Sequence, residues 1–323
     1  MRDSDYIFAV ARIRVLERGL LNDDDIKQMC SMKDAKSVVS YLEDRGWGDG
    51  SGQLDADQLL AYEQNKTLKL MHDLRVDQAV FDVLTMPRYY HNLKCIIKEI
   101  CAGNKVPTAF YELPNFGHDV LYKAFTDQNL GVLPEKMRKP AQHAFDIMSQ
   151  TGNGQWCDVI LDKACLLDML EAAKSTKSQV LIDYCEANVS SSDIKIAVRC
   201  ARTGKDLHFV EQALAPSREV SASKLAQAAV HGEEDLLKYL ESSSLKDAAE
   251  ALRVSNSEFE RWCDNRLMDA RRAQKTNCTS VGPVVAYYLA RENEARNVRI
   301  IVTAKTNGFS EKQTLERMRE MYG

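Results

Sequence analysis

Hydrophobic residues recur along most of the chain at the three- and four-residue spacing of one helix face. Residues 1–86 contain no proline, and glycine and proline cluster at 46–52, 105–135, 152–154 and 282–283. Runs that alternate apolar and polar residues between turn signals, which are typical of strands, do not occur. The pattern therefore predicts an all-α fold with little or no sheet, interrupted at these four places.

One helical pattern occurs three times without gaps. It starts at Asn92, Asp193 and Asn297, which are 101 and 104 residues apart. Counted from these residues, positions +1, +4, +5 and +8 fall on one helix face. Eleven of these twelve positions are apolar, and the exception is Lys305: Leu93, Ile96, Ile97, Ile100, Ile194, Ala197, Val198, Ala201, Val298, Ile301, Val302 and Lys305.

A glycine stands at position +11 of every copy: Gly103, Gly204 and Gly308. Glycine adopts the left-handed conformation that commonly ends a helix, so each copy is predicted to stop there. A period near 100 residues exceeds that of the common solenoids. We therefore expect three similar helical lobes, at 1–105 (with the N-terminal helices), 106–205 and 206–323 (closing with the C-terminal helices). Accidental similarity among amphipathic helices is the alternative.

Position +2 is basic in each copy: Lys94, Lys195 and Arg299. At about 100° per residue, this position flanks the buried face. In one interpretation the three side chains are solvated, and their stems cover apolar surface. In the other, they line a common polar socket for an acidic or helical partner. The three residues are the candidate partner-binding residues of this chain.

Composition narrows the classes of partner. Hydrophobic residues make up 45% of the 323 residues, charged residues 28%, and the formal net charge is −4, which argues against nucleic acid as the main partner. Nine cysteines without a C-x-x-C pair fit a reducing cytosol. No targeting peptide and no membrane-spanning segment is apparent, so we expect membrane association only through another protein.

Motifs for chemistry are scarce. The sequence has no G-x-x-x-x-G-K-[ST] phosphate-binding loop, no H-E-x-x-H zinc motif and no G-x-S-x-G nucleophile elbow. No two of the six histidines stand four residues apart, as ligands on one helix face would. We therefore predict no catalytic residue, no cofactor and no metal site.

Three stretches resemble a known family. Residues 287–310 read YYLARENEARNVRIIVTAKTNGFS, residues 6–14 read YIFAVARIR, and residues 77–94 read DQAVFDVLTMPRYYHNLK. In this order they resemble the C subunit of bacterial and archaeal V-type (A-type) ATPases, which is related to the eukaryotic d subunit. The likeness spans nearly the whole chain. Residues 105–155 match only loosely, and Lys305 interrupts the third apolar stripe.

This resemblance implies a pseudo-threefold funnel of three helical lobes in the central stalk of a rotary ATPase. It implies a non-catalytic adaptor that transmits torque between the rotor shaft, formed by the D and F subunits, and the membrane rotor ring. Such an adaptor would lie on the cytoplasmic face of the membrane and serve proton or sodium transport. The alternatives are a free-standing helical scaffold for another protein and an enzyme with an unrecognised helical active site.

Overall fold

The computed structural model describes residues 6–103, 110–111 and 113–322. Within these ranges the regular structure consists of α-helices and short 3₁₀ turns without a β-strand, so the predicted all-α fold is confirmed. The helices are α1 (Ile7–Leu16), α2 (Asp23–Ser31), α3 (Ala35–Asp44), α4 (Ala56–Asp73), α5 (Gln78–Ala102), α6 (His118–Thr126), α7 (Glu135–Thr151), α8 (Gly154–Thr176), α9 (Gln179–Thr203), α10 (Leu207–Ala213), α11 (Ala222–His231), α12 (Glu233–Glu241), α13 (Lys246–Val254), α14 (Asn256–Arg272), α15 (Gly282–Thr306) and α16 (Glu311–Leu315). The 3₁₀ turns are Glu17–Gly19, Leu130–Val132 and Ala273–Thr276.

The chain divides into two compact units. Unit 1 consists of the described residues within 1–77, 178–184 and 247–323. Its central helix is α15, which packs against α1, α2, α3, α4, α14 and α16. The core of unit 1 contains aliphatic side chains, methionines and one tryptophan: Leu21, Ile26, Met29, Cys30, Val38, Leu42, Trp47, Leu59, Leu60, Ala295, Val298, Ile301, Met318 and Met321.

Unit 2 consists of the described residues within 78–177 and 185–246. Its most extensive helix pair is α5 with α8, and α7 packs against both of these helices. Helix α6 packs on α5, while α10 contacts α8 and α11, and α11 contacts α12. Unit 2 is therefore built around the packed helices α5, α7 and α8, and the shorter helices pack on them or on one another.

The cysteines behave as the sequence suggests. All nine are free thiols, and seven of them are buried, where they pack as small apolar groups. Burial raises the pKa of Cys185 to about 12, which makes this thiol unreactive.

No helix in the described part of the chain has both the length and the hydrophobicity to cross a membrane. The same residues contain no cluster of three or more potential metal ligands.

The three predicted repeat helices are α5, α9 and α15, and each is 25 residues long. The glycines at +11 follow them with φ values of 66° at Gly103, 62° at Gly204 and 71° at Gly308. These values lie in the left-handed region, which a side chain with a Cβ atom disfavours. The predicted helix ends are therefore confirmed in all three copies.

Positions +1 and +4 of the apolar stripe are buried in all three copies, whereas position +8 is half-buried in each. Lys305, the one departure, is half-buried, and its Nζ donates a hydrogen bond to the carbonyl of Cys30. Cys30 lies in the last turn of α2, where backbone carbonyls lack helical partners and a cation is favourable. The buried +1 and +4 residues are Leu93, Ile96, Ile194, Ala197, Val298 and Ile301.

Position zero of each repeat holds a fully buried polar side chain that binds the main chain further along the sequence. Asn92 Nδ2 donates to the Tyr111 carbonyl at 2.9 Å, and the Tyr111 N–H donates back to Asn92 Oδ1 at 2.9 Å. Asn297 makes the same reciprocal pair with Arg319, at 3.0 and 3.1 Å. Asp193 Oδ1 accepts from the Ala215 N–H at 3.0 Å.

We call this arrangement the Asx clamp: a buried Asn or Asp at position zero that hydrogen-bonds the backbone 19 or 22 residues later. All three clamp side chains are 0% exposed. Such bonds matter because a buried N–H or C=O that loses its partner keeps the full cost of desolvation. The clamps therefore fix the segment that follows each repeat helix against that helix.

Replacement of Asn297 by alanine tests the energetic role of a clamp. Asn297→Ala leaves both the N–H and the carbonyl of Arg319 without their partner, so we expect a loss of about 2–4 kcal/mol in unfolding free energy. Urea unfolding followed by far-UV circular dichroism measures it. Asn65→Ala is the matched control, because Asn65 is exposed on α4, and it should change stability by less than about 0.5 kcal/mol. Equal effects of the two substitutions would contradict the assigned role.

Candidate functional site

Lys94, the first predicted partner-binding residue, lies on α5 and is half-buried. Its Nζ is 2.6 Å from Asp162 Oδ1 on α8, and one turn later Lys98 Nζ is 2.5 Å from Asp158 Oδ1. Burial alone would lower the pKa of Lys94, but Asp162 outweighs it and the pKa is raised. Lys94 therefore stays charged and has an acidic partner within its own unit.

Lys195 and Arg299 have different surroundings. Lys195 is half-buried on α9, in unit 2 with Lys94. Arg299 is exposed on α15 in unit 1, where it lines a shallow pocket of about 390 Å³ with Glu260 and Phe309. The structure thus places two of the three basic residues in one unit and the third in the other. That they share one socket remains a prediction.

A buried network of charged side chains in unit 1 surrounds Arg291 on α15. The Arg291 guanidinium donates to Glu63 on α4 and to Glu294 one turn further along α15. It also lies over the Trp47 ring, 4.7 Å from the centroid. Glu294 accepts a hydrogen bond from the Leu21 N–H, and Glu63 accepts one from the Gly48 N–H at 2.9 Å. One arginine therefore joins α15 to three other segments of unit 1.

Burial decides the electrostatics of this network. The side chain of Arg291 is 11% exposed, that of Glu63 3% and that of Glu294 1%. Burial raises the pKa of Glu294, while the guanidinium of Arg291 acts in the opposite direction. Each charge is tolerated in the interior because its partners are held in place.

A cleft of about 350 Å³ opens beside this network within unit 1. Its lining includes five cations and two carboxylates, and two of the cations, Arg45 and Arg291, also pair with Asp25 and Glu294. Arg12 and Lys69 are exposed at its edge. Such a surface favours an acidic group of a partner. The charged lining residues are Arg12, Arg45, Lys66, Lys69, Arg291, Glu63 and Asp73.

Comparison with protein families gives a match that covers almost the whole chain. Residues 9–317 match the family described as ATP synthase (C/AC39) subunit. The chain belongs to this family. The family resemblance that residues 6–14, 77–94 and 287–310 suggested is therefore confirmed.

Curated relatives of this C/AC39 family member match it over nearly their full lengths. The C subunit of the V-type sodium ATPase of Enterococcus hirae is 22% identical over 319 residues, covering 96% of this chain and 97% of the relative. The C subunit of the A-type ATP synthase of Haloquadratum walsbyi is 25% identical over 342 residues, covering 94% and 95%. Its counterpart from Pyrococcus furiosus is 20% identical over 346 residues, covering 98% and 90%.

Members of the C/AC39 family are non-catalytic subunits of V-type and A-type ATPases, so the prediction that the chain is not itself an enzyme is confirmed. The Arg291 network agrees with a structural task. The buried charges of Arg291, Glu63 and Glu294 are all engaged with one another or with the backbone. These three side chains tie helices together, whereas a catalytic acid or base has to be directed at a substrate.

Sequence reasoning missed both the Asx clamps and the Arg291 network. For the clamps a signal was present: Asn, Asp and Asn stand at the same offset, beside the apolar stripe, where a polar residue needs a buried partner. For Arg291 the signal was weak. Its partner Glu63 is 228 residues away, and no spacing rule links the two.

Replacement of Arg291 tests how much the buried carboxylates of Glu63 and Glu294 destabilise the fold when they lack a counter-ion. We expect Arg291→Met to lower the unfolding free energy of this C/AC39 family member by about 3–5 kcal/mol, because Glu63 and Glu294 lose their shared counter-ion. Arg296→Met is the matched control on the same helix. Arg296 is exposed, and its partner Asp264 keeps Arg319 at 2.6 Å. This control should cost less than about 1 kcal/mol. Chemical denaturation measures both, and a loss of similar size in the two variants would refute the assignment.

Proposed function

We propose that this chain is the non-catalytic central-stalk adaptor of a rotary V-type ATPase and couples the D–F rotor shaft to the membrane-embedded rotor ring. The observation that carries the proposal is the threefold repeat of a 25-residue helix, each copy with a left-handed glycine at its end and an Asx clamp. Family membership identifies the complex. The chain is a subunit of a membrane-associated ATPase, and its partners are other subunits of that ATPase. In this proposal it works at the cytoplasmic face, in proton or sodium transport.

The same repeat supports the proposed architecture. We propose that residues 1–105, 106–205 and 206–323 form three lobes around a pseudo-threefold axis, as a funnel. Three clamps spaced 101 and 104 residues apart are what three related lobes would require. The boundary between the first two lobes lies outside the described residues.

An adaptor that transmits torque has to resist deformation, and the described helices suit this task. A helix of 25 residues is about 38 Å long at about 1.5 Å per residue. Buried polar ties such as the Asx clamps and the Arg291 network accept one geometry only, because any slip leaves polar groups unpaired. These features support a stiff connecting element.

Lys94, Lys195 and Arg299 are the proposed contacts to the shaft. The exposure of Arg299 favours this role, since an exposed guanidinium can pair with a partner's carboxylate. Lys94 already pairs with Asp162, so it offers less of its charge to a partner than an exposed residue does. Arg299 is therefore the sharpest test of the socket, and Lys195 is tested together with it.

Reconstitution tests the adaptor role directly. The purified chain is mixed with the D–F pair, with the detergent-solubilised rotor ring, and with both. We expect the chain to form a complex with each partner. We also expect the D–F pair and the ring to associate with each other only when the chain is present, because the adaptor supplies both contact surfaces. Size-exclusion chromatography and pull-down measure this. A chain that binds neither partner would favour the free-standing scaffold and exclude the adaptor.

Charge reversal tests the socket residues. Lys195→Glu combined with Arg299→Glu should weaken binding of the D–F pair by about tenfold or more, because repulsion replaces attraction at two contacts. Affinity is measured by titration calorimetry, with circular dichroism as the check on helicity.

Two further variants make the charge-reversal experiment specific. Arg199→Glu with Lys312→Glu reverses two other exposed charges and should leave the affinity unchanged. Arg12→Glu with Lys69→Glu alters the cationic cleft of unit 1. If only this cleft variant weakens D–F binding, the shaft contact lies at the cleft and the assignment to Lys195 and Arg299 is wrong.

A further inference from the structure

The three Asx clamps are not chemically equivalent. In the first and third, one asparagine makes a reciprocal pair with one residue: Oδ1 accepts from its N–H, and Nδ2 donates to its carbonyl. An aspartate stands at the same position of the second repeat. It reproduces the accepting half of the pair, from the Ala215 N–H to Oδ1 at 3.0 Å.

The donating half is missing in the second clamp. Asp193 Oδ2 is buried and has no hydrogen-bond partner within the part of the chain that the structure describes. The whole residue is 0% exposed, and so is Ala215. An ionised carboxylate has only acceptors to offer, whereas a protonated one has an O–H donor.

We propose that Asp193 carries a proton in the folded protein and donates a hydrogen bond from Oδ2 to the carbonyl of Ala215. The protonated carboxyl group then matches the shape and hydrogen bonding of the asparagine in the other two clamps. Loss of this proton leaves two acceptors facing each other without a donor. The second clamp is therefore a pH-sensitive connection between α9 and the segment that follows α10.

One cation acts on Asp193, and the charged groups Glu186 on α9 and Glu219 in the segment after α10 have partners of their own. Lys163 on α8 is the cation that acts on Asp193, and its Nζ donates to the Glu211 carbonyl at 3.2 Å. Glu186 on α9 forms an ion pair with Arg218, and its Oε1 is 2.9 Å from the Arg218 Nε. Glu219 accepts from Ser190 on α9, and Lys195 also lies on this helix. Burial raises the pKa of Asp193 to about 7, against the lowering effects of the Ala215 N–H and Lys163.

The direction of the pH dependence follows from this pKa. In the unfolded chain the carboxyl group loses its proton near its ordinary pKa of about 4, and in the folded chain only near 7. Between these values the folded state binds more protons, so its stability falls as the pH rises. Above the folded pKa both states are ionised and the effect is constant.

A carboxyl titration tests the proton directly. The full chain is labelled with ¹³C-aspartate, and the signal lost in Asp193→Asn is assigned to Asp193. We expect its midpoint near pH 7, about three pH units above that of an exposed aspartate. A midpoint below about pH 5 would overturn the proposal, because the carboxylate would then be ionised in the folded chain at neutral pH.

Thermal unfolding of Asp193→Asn supplies an independent measurement. The amide can donate at every pH, so its Tm should exceed that of the wild type by about 3–8 °C at about pH 8.5, and the gap should close towards about pH 5. Asp146→Asn, at an exposed position on α7, should show no such trend. A variant that is destabilised equally at both pH values would mean that an ionised Asp193 stabilises the fold, with Lys163 as its counter-ion, and would refute the proposal.

Hydrogen exchange at Ala215 reports on the clamp itself. As the pH rises through the folded pKa, exchange of this amide should accelerate about tenfold more in the wild type than in Asp193→Asn, because only the wild-type clamp weakens. Identical acceleration in the two proteins would show that the clamp does not respond to ionisation.

Discussion

A buried side-chain oxygen that accepts from one backbone N–H, 19 or 22 residues ahead in the chain, is the contact on which each repeat depends. Helix α5, α9 or α15 alone presents only an apolar stripe, which many segments could cover. The polar contact is directional and buried, so it selects one register for the segment that returns across the helix. Hydrophobic burial supplies most of the stability, and the clamp selects the geometry.

The same division of tasks appears in unit 1 around α15. Apolar residues such as Val298 and Ile301 fill the core, while Arg291 determines which segments meet there. A guanidinium with two carboxylates and an aromatic ring satisfies its donors in a fixed plane. Helices joined in this way move together under a mechanical load. The proposed position between a rotating shaft and a ring requires this rigidity.

The sequence predicted the fold class, the three long helices and their glycine ends because these features arise from local periodicity and from backbone conformation. It located Asn92, Asp193 and Asn297 but did not predict their role, because the partner of each is a main-chain group without a side-chain signature. The basic residues at +2 looked equivalent in sequence, yet their surroundings differ. Lys94 has Asp162 beside it, whereas Arg299 is exposed, and this difference arises from helix packing that no periodicity encodes.

Unit 1 draws on three separate stretches of the chain, and this has a consequence for biosynthesis. Helices α1 to α4 are made early, but their packing partner α15 follows about 200 residues after α4. Translation proceeds at about 5–20 residues per second, so α15 is synthesised on the order of ten to forty seconds after α4. The residues of unit 2 are all synthesised before α15 is made. During this interval the apolar faces of α1 to α4 lack α15, and chaperones can bind them.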